Sequence, residues 1–351
     1  MLIKLLSALE TYMEDIDELQ LSGILHQYPL KAPRVLYYFE ASKRNANFLL
    51  EDSSGLRYVL RRYRRNPDPR RVAFQLRFQQ NLRRLGFPTA EIIATQPGSL
   101  FVTHEGGIWA LSTYIEGQEY DFSRPTQTME AARYLARFHN LSGALEDREV
   151  IIPANPMIRR WWTDSETEIA DLKRLFTGQD IQDELTFLYD WTRALVREWP
   201  LERLESLPAG WVHGDYHGRN MMFVDDLLAG IFDFDVLHRG ATVEDLGHAI
   251  LMFGRAKRGS YSIRPEVAYL FLKEYIRHRG LSSGEIEVLP AMAVLSRTAS
   301  ADYYQLLADD EVDHIRAFRH DIWAMARLQE EMGKLRPIFT KVLKDTVQPG
   351  P

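Results

Sequence analysis

Residues 211–237 read WVHGDYHGRNMMFVDDLLAGIFDFDVL, and this stretch limits the fold more than any other part of the chain. Its short apolar runs, broken by Gly and Asp, are strand-length segments set within a region whose pattern is otherwise helical. It spaces His213, Asp215 and Asn220 as H-x-D-x-x-x-x-N, then runs through Leu228, Ala229, Ile231 and Phe232 into Asp233. A carboxylate ending a buried strand is costly unless a cation meets it. Asp215 suits the orientation and deprotonation of an attacking hydroxyl. Asn220 is far enough along for the loop to curl back and offer a metal an amide oxygen without adding charge. Phosphoryl transfer needs such a set, because its transition state is stabilised mainly by position and charge. Asp235 shares a strand face with Asp233 if the extended geometry continues, and would bind a second metal or brace the first. His213 is expected to fix the loop rather than to do chemistry. His213, Asp215 and His217 would also share a face as alternate strand residues, which leaves a transition-metal hydrolase as the rival enzyme class. His104, His139, His238 and His248 show no ligand spacing toward that array.

The rest of the chain supplies a frame. At 351 residues, 45% hydrophobic and 26% charged, it has ample apolar surface for a large core. Cysteine is absent, which removes disulfides, thiolate nucleophiles and Cys-ligated zinc. A net charge of −6 argues against general nucleic-acid or anionic-membrane binding. The start, MLIKLLSALETYMEDIDE, turns acidic where a signal peptide would stay apolar, and no run reaches the length of a membrane span, so the expected location is cytoplasmic. Helical spacing predicts a leading helix over Leu2–Leu21. RVLYYFEAS predicts a strand, and NANFLLEDSSGLRYVLRRYRR a hairpin turning at Ser53, Ser54 and Gly55. A very basic helix from Pro69 to Leu85 should stop at Gly86. Strands are expected over residues 91–95, 99–104 and 108–114, and helices over 129–141, 266–279 and 289–307. The nine arginines between Arg61 and Arg84 read as a solvated face beside bound phosphates, since aromatics are not interleaved through them. Trp161, Trp162, Tyr303, Tyr304 and Trp323 read as core. Asp302, Asp309, Asp310 and Glu311 are a solvated run or the lining of a cleft for a cationic acceptor.

HGDYHGRN at 213–220, GIFDFD at 230–235 and VEDLGHAI at 243–250 resemble the aminoglycoside-phosphotransferase and choline-kinase branch of the protein-kinase-like superfamily, most of all its spore-coat protein S and homoserine-kinase-like members. The resemblance implies an α+β, two-lobed protein-kinase-like fold. The N-terminal lobe, 1–115, would hold an antiparallel sheet; the C-terminal lobe, 116–345, would be mostly helical; 346–351 would be a flexible tail. It makes Asp215 the catalytic base and Asn220 and Asp233 the Mg²⁺ ligands. The backbone of Thr113, Tyr114 and Ile115 would bind adenine, and Glu244 and Asp245 would brace the catalytic loop beside His213. Such enzymes move the γ-phosphate of ATP or GTP to a hydroxyl of a small-molecule acceptor; the oligomeric state is left open. Two positions depart from the family pattern. Arg61 stands where a phosphate-binding Lys is usual, and Gln75 where a Glu would pair with it. The front segment EASKRNAN also lacks a Gly-rich phosphate cover. These departures keep a second reading open, a kinase-like scaffold or binding protein with little turnover.

Overall fold

The computed structural model describes residues 18–39, 45–63, 68–145, 156–298 and 300–347. Most of the predicted leading helix, Arg64 and Arg65, residues 40–44 of the front segment and residues 348–351 of the tail lie outside these. The chain divides into two units. The first holds the described residues up to 116 together with 229–232, and the second holds the remainder.

The first unit opens with helix α1 (Glu18–Leu25), followed by strands β1 (Arg34–Phe39), β2 (Asn45–Glu51) and β3 (Arg57–Tyr63). Helix α2 (Pro69–Arg84) precedes β4 (Ile92–Ile93), β5 (Val102–His104) and β6 (Gly107–Thr113). The strands run antiparallel in the order β1-β2-β3-β6-β4, with β5 added on β6. The β2–β3 hairpin turns where the sequence predicts. Asp52 accepts the amides of Ser54 at 2.9 Å and Leu56 at 3.2 Å, and Gly55 takes a left-handed φ of 83°. Alternation along β6 splits its side chains between two cores. Trp109 and Leu111 join Leu50, Leu60, Ile24 and Tyr28, while Ile108 and Ala110 join Tyr63, Val72 and Leu76. Helix α2 starts on the Asp68 cap, which accepts Arg70 N–H at 2.9 Å, and stops before Gly86 at φ 79°. The strands expected over 91–95 and 99–104 are shorter, because Thr95 and Ser99 bond each other across a turn at Gly98.

The second unit is mainly helical: α3 (Pro125–Ser142), α4 (Pro156–Thr163), α5 (Ser165–Leu175), α6 (Gln182–Glu198) and α7 (Leu201–Glu205) precede strands β7 (Ala209–Val212) and β8 (Met221–Val224). After β9 (Leu227–Ile231) and β10 (His238–Ala241) come α8 (Val243–Gly254), α9 (Pro265–His278), α10 (Ser283–Leu295), α11 (Ala301–Asp309) and α12 (His314–Val347). Within the first unit, Ile231 at the end of β9 donates its amide to Pro88 O at 2.9 Å. Gly230 admits the Ile115 side chain, whose Cδ1 would lie 2.5 Å from any added Cβ. The single helix expected over 289–307 is two. A capping box of Ser282 and Glu285 starts α10, and Ser300 restarts the chain as the cap of α11 by accepting Tyr303 N–H. Strand β10 lies past the expected end of the β-rich stretch; HRGA shows no apolar alternation, and antiparallel pairing with β7, Val212 opposite His238, makes it a strand. Trp161, Trp162 and Tyr304 are core as expected, but Trp323 is exposed.

Helix α8 carries part of the site described next, and Gly247 sets its distance from α10. A Cβ at Gly247 would lie 2.7 Å from Ala293 N and 2.8 Å from Met292 C, backbone that cannot swing aside. Gly247→Val should therefore destabilise the protein by about 1–3 kcal/mol, read from the midpoint of urea unfolding.

Candidate active site

The loop after β7 is held from beneath by one buried carboxylate. Asp245, in the first turn of α8, accepts the backbone N–H of His213 at 2.6 Å and of Gly214 at 2.8 Å. His139 Nε2 lies 3.1 Å from Asp245 Oδ2, the oxygen that also accepts His213 N–H, and His139 Nδ1 lies 2.7 Å from the Tyr275 hydroxyl. Burial opposes charge on Asp245, but the hydrogen bond from His139, the neighbouring imidazoles and the Gly214 amide outweigh it and hold the carboxyl below its usual range. Burial likewise lowers His139, which is then a neutral donor to Asp245. Gly214 takes φ 80°, and an added Cβ would meet Val236 O at 2.8 Å, so the loop reverses there as only glycine readily can. The neighbouring Glu244 accepts Ala241 N–H at 2.9 Å and faces His238 Nε2 at 3.1 Å, fixing the start of the same helix.

Asp215 stands at the end of this reversal with 40% of its side chain exposed. Asn220 Nδ2 donates to its carbonyl at 2.9 Å and to Oδ2 at 3.2 Å. His217 Nδ1 accepts Arg219 N–H at 3.2 Å, so the ring proton sits on Nε2, which faces Asp215 Oδ1 at 3.3 Å. His248, on α8, brings its Nε2 to 3.8 Å from the same oxygen. Burial would raise Asp215, yet the His217 hydrogen bond and the nearby imidazoles hold it well below the usual carboxylate range. It is ionised at neutral pH. His213 is fully buried against the rings of Phe138, Tyr216 and Phe234, and its Nδ1 accepts Asp215 N–H at 3.3 Å.

Two geometric expectations fail. Asp233 adopts φ 67°, so the chain leaves the extended conformation there and Asp235 falls in a turn instead of on a shared strand face. The reversal at Gly214 likewise removes the strand face that was to align His213, Asp215 and His217. Among the described residues no group of three or more His, Asp or Glu is gathered that could hold a metal. Asp302 is bridged by Arg160 at 3.2 Å, and Asp309 accepts Gln305 at 2.8 Å. The sequence missed His248, although Asp245 and His248 are three apart on one helix and share a face.

The remaining predicted residues lie in the first unit. Arg61 sits mid-strand on β3 opposite Asn47 and Ala110, its guanidinium 5.3 Å from the Tyr63 ring. Gln75 is buried on α2. Thr113 N–H donates to Glu91 O at 2.9 Å and Tyr114 N–H to Arg57 O at 3.0 Å, and among the described residues the Ile115 amide has no such backbone acceptor.

His248 makes folding pH-dependent. Burial pushes it down from 6.5 to about 4, so between those values the unfolded chain binds a proton that the folded chain refuses. Stability should therefore fall as pH drops from about 6.5 toward 4, and His248→Gln should flatten that slope in urea titrations run across the window.

Comparison with known proteins bears on the family and the fold. Residues 17–281 match the model of the phosphotransferase enzyme family. A homoserine kinase from Sinorhizobium fredii is 26% identical over 283 residues, covering 80% of this chain and 81% of that enzyme. A choline kinase from Cryptosporidium parvum superposes with a TM-score of 0.65 at 12% identity, over 94% of this chain and 99% of that one. An amicoumacin kinase in complex with AMP-PNP and Ca²⁺ gives 0.64 at 17% identity, over 93% and 97%. These likenesses establish the α+β protein-kinase-like fold, and the family match spans most of the sequence. The chain belongs to the phosphotransferase enzyme family.

Proposed function

We propose that this protein transfers the γ-phosphoryl group of ATP or GTP, with Mg²⁺, to the hydroxyl of a small-molecule acceptor, and that Asp215 orients that hydroxyl and takes its proton. The observation that carries the reading is the double restraint on Asp215: His217 on Oδ1 and Asn220 on Oδ2. An ionised carboxylate held at both oxygens and still open to solvent is pre-organised to position a nucleophile. The relatives named above, a homoserine kinase and small-molecule kinases, support a hydroxylated acceptor.

The donor set suits a hard divalent cation. Asn220 turns its amide N–H groups toward Asp215, which leaves its amide oxygen as the ligand atom, and Asp233 adds a carboxylate. When bound, Mg²⁺ supplies charge neutralisation at the phosphates. Asp235 supports that position from its turn. His213 and Asp245 hold the loop. In the first unit Arg61 takes the phosphate role, Gln75 accompanies it from α2, and the backbone at Thr113, Tyr114 and Ile115 receives adenine, with the Ile115 amide as its donor. Among the described residues no helix is long and apolar enough to cross a membrane, and we place the enzyme in the cytoplasm with no nucleic-acid partner.

Asp215→Asn should lower kcat by about 10²–10⁴-fold while nucleotide still raises the melting temperature. Retained turnover in a coupled ADP-release assay would refute the base assignment. Asp233→Ala should abolish the Mg²⁺-dependent part of the nucleotide-induced thermal shift. A wild type that shows no shift at millimolar nucleotide would favour the scaffold reading.

A further inference from the structure

Within the second unit several arginines, Arg219 of the Asp215 loop among them, act on one another around Arg255 without a matching set of acids among the described residues. Arg255 follows helix α8 seven residues after His248, two turns along the same face, which places it about 10 Å further along the helix axis. Its guanidinium lies 5.8 Å from the Phe122 ring, and its Nε is buried without a hydrogen-bond partner. The side chains acting on it are Tyr261, Arg258, Arg297 and Arg219; burial first, and after it the three arginines, push its pKa down against the opposing effect of Tyr261. Among the described residues no carboxylate pairs with Arg255, Arg219 or Arg258, whereas Arg297 is bonded to Asp321. Arg219 belongs to the Asp215 loop itself, and its amide fixes His217.

A half-buried guanidinium among like charges is unfavourable unless an anion answers it. The chain puts this unanswered charge on two elements that both lead to Asp215: the catalytic loop, through Arg219, and the face of α8 that carries His248, through Arg255. We infer that the acceptor carries an anionic group, a carboxylate or a phosphate, which Arg255 and Arg219 bind while its hydroxyl lies at Asp215. This deepens the proposed phosphotransfer and rests on it. A guanidinium fork matches either anion with two parallel hydrogen bonds. A polycationic acceptor such as an aminoglycoside meets like charge at the same place.

The test uses the full chain saturated with AMP-PNP and Mg²⁺, so that the nucleotide phosphates cannot account for anion binding. Calorimetry compares matched probes that differ in the anion, L-homoserine against 3-aminopropan-1-ol and glycerol 3-phosphate against glycerol. The anionic member of one pair should bind at least about 10-fold more tightly, and the pair that shows it identifies carboxylate or phosphate. Arg255→Gln should erase that preference and Arg255→Lys should keep much of it; Arg219→Gln, at an exposed position, provides a second variant where folding is not at stake. In turnover assays the same variants should raise KM for the anionic acceptor more than they lower kcat. Equal or better binding of the uncharged or cationic probes, or no binding of either anionic probe, overturns the inference. Nucleotide-induced stabilisation of the wild type is read separately. If it is present and the anion preference is absent, only the acceptor assignment falls; if it is absent, the phosphotransfer reading falls first.

Discussion

The contact between the Asp245 carboxylate and the amides of His213 and Gly214 is the constraint on which the site depends. A buried carboxylate is tolerated only when its lone pairs are met, and here two backbone donors and the His139 imidazole meet them. Its place in the first turn of α8 adds the favourable end of the helix dipole. The arrangement couples three helices to the loop. Helix α8 holds the loop after β7, helix α3 reaches the same carboxylate through His139, and helix α9 orients His139 through Tyr275. The left-handed turn at Gly214 that presents Asp215 follows from this anchoring.

From that anchor outward the residues work in layers. His213 packs in an aromatic shell and takes the Asp215 amide on Nδ1, so it serves the loop's shape and not proton transfer. His217 and Asn220 then fix the two carboxylate oxygens from opposite sides. His217 is itself oriented by the Arg219 amide, so the hydrogen bonding that selects its tautomer also aims it at Asp215. Helix α8 therefore has two tasks. Its buried end holds the loop through Asp245, and its further turns carry His248 beside Asp215 and, two turns on, Arg255 of the proposed anion site.

Much of this was legible from residues alone. The H-x-D-x-x-x-x-N spacing and the apolar run into Asp233 announced phosphotransfer chemistry, because few other chemistries call for a lone carboxylate, an amide five residues on and a carboxylate at a strand end. The hairpin at Ser53–Gly55 and the helix between Asp68 and Gly86 were also readable, since caps and glycine turns act over a few residues. Other features were hidden. The face shared by Asp233 and Asp235 assumed continued extension, which the left-handed Asp233 ends. Strand β10 has no pattern of its own and exists through pairing with β7. His248 looked unplaced because its partner, Asp215, is thirty-three residues away in sequence.

The sequence by itself determined the class of chemistry, the candidate base and the local elements, because each of these rests on spacing, alternation or capping within a single segment. Only the tertiary structure decided how the base is restrained and which charges surround it. Those depend on segments far apart in the chain, β7, α3, α8 and α9, meeting around one buried carboxylate, and on Arg219 of the loop acting on Arg255 at the end of α8, where no carboxylate among the described residues pairs with either. Burial and electrostatic neighbourhood are properties of packing, so no local pattern carries them.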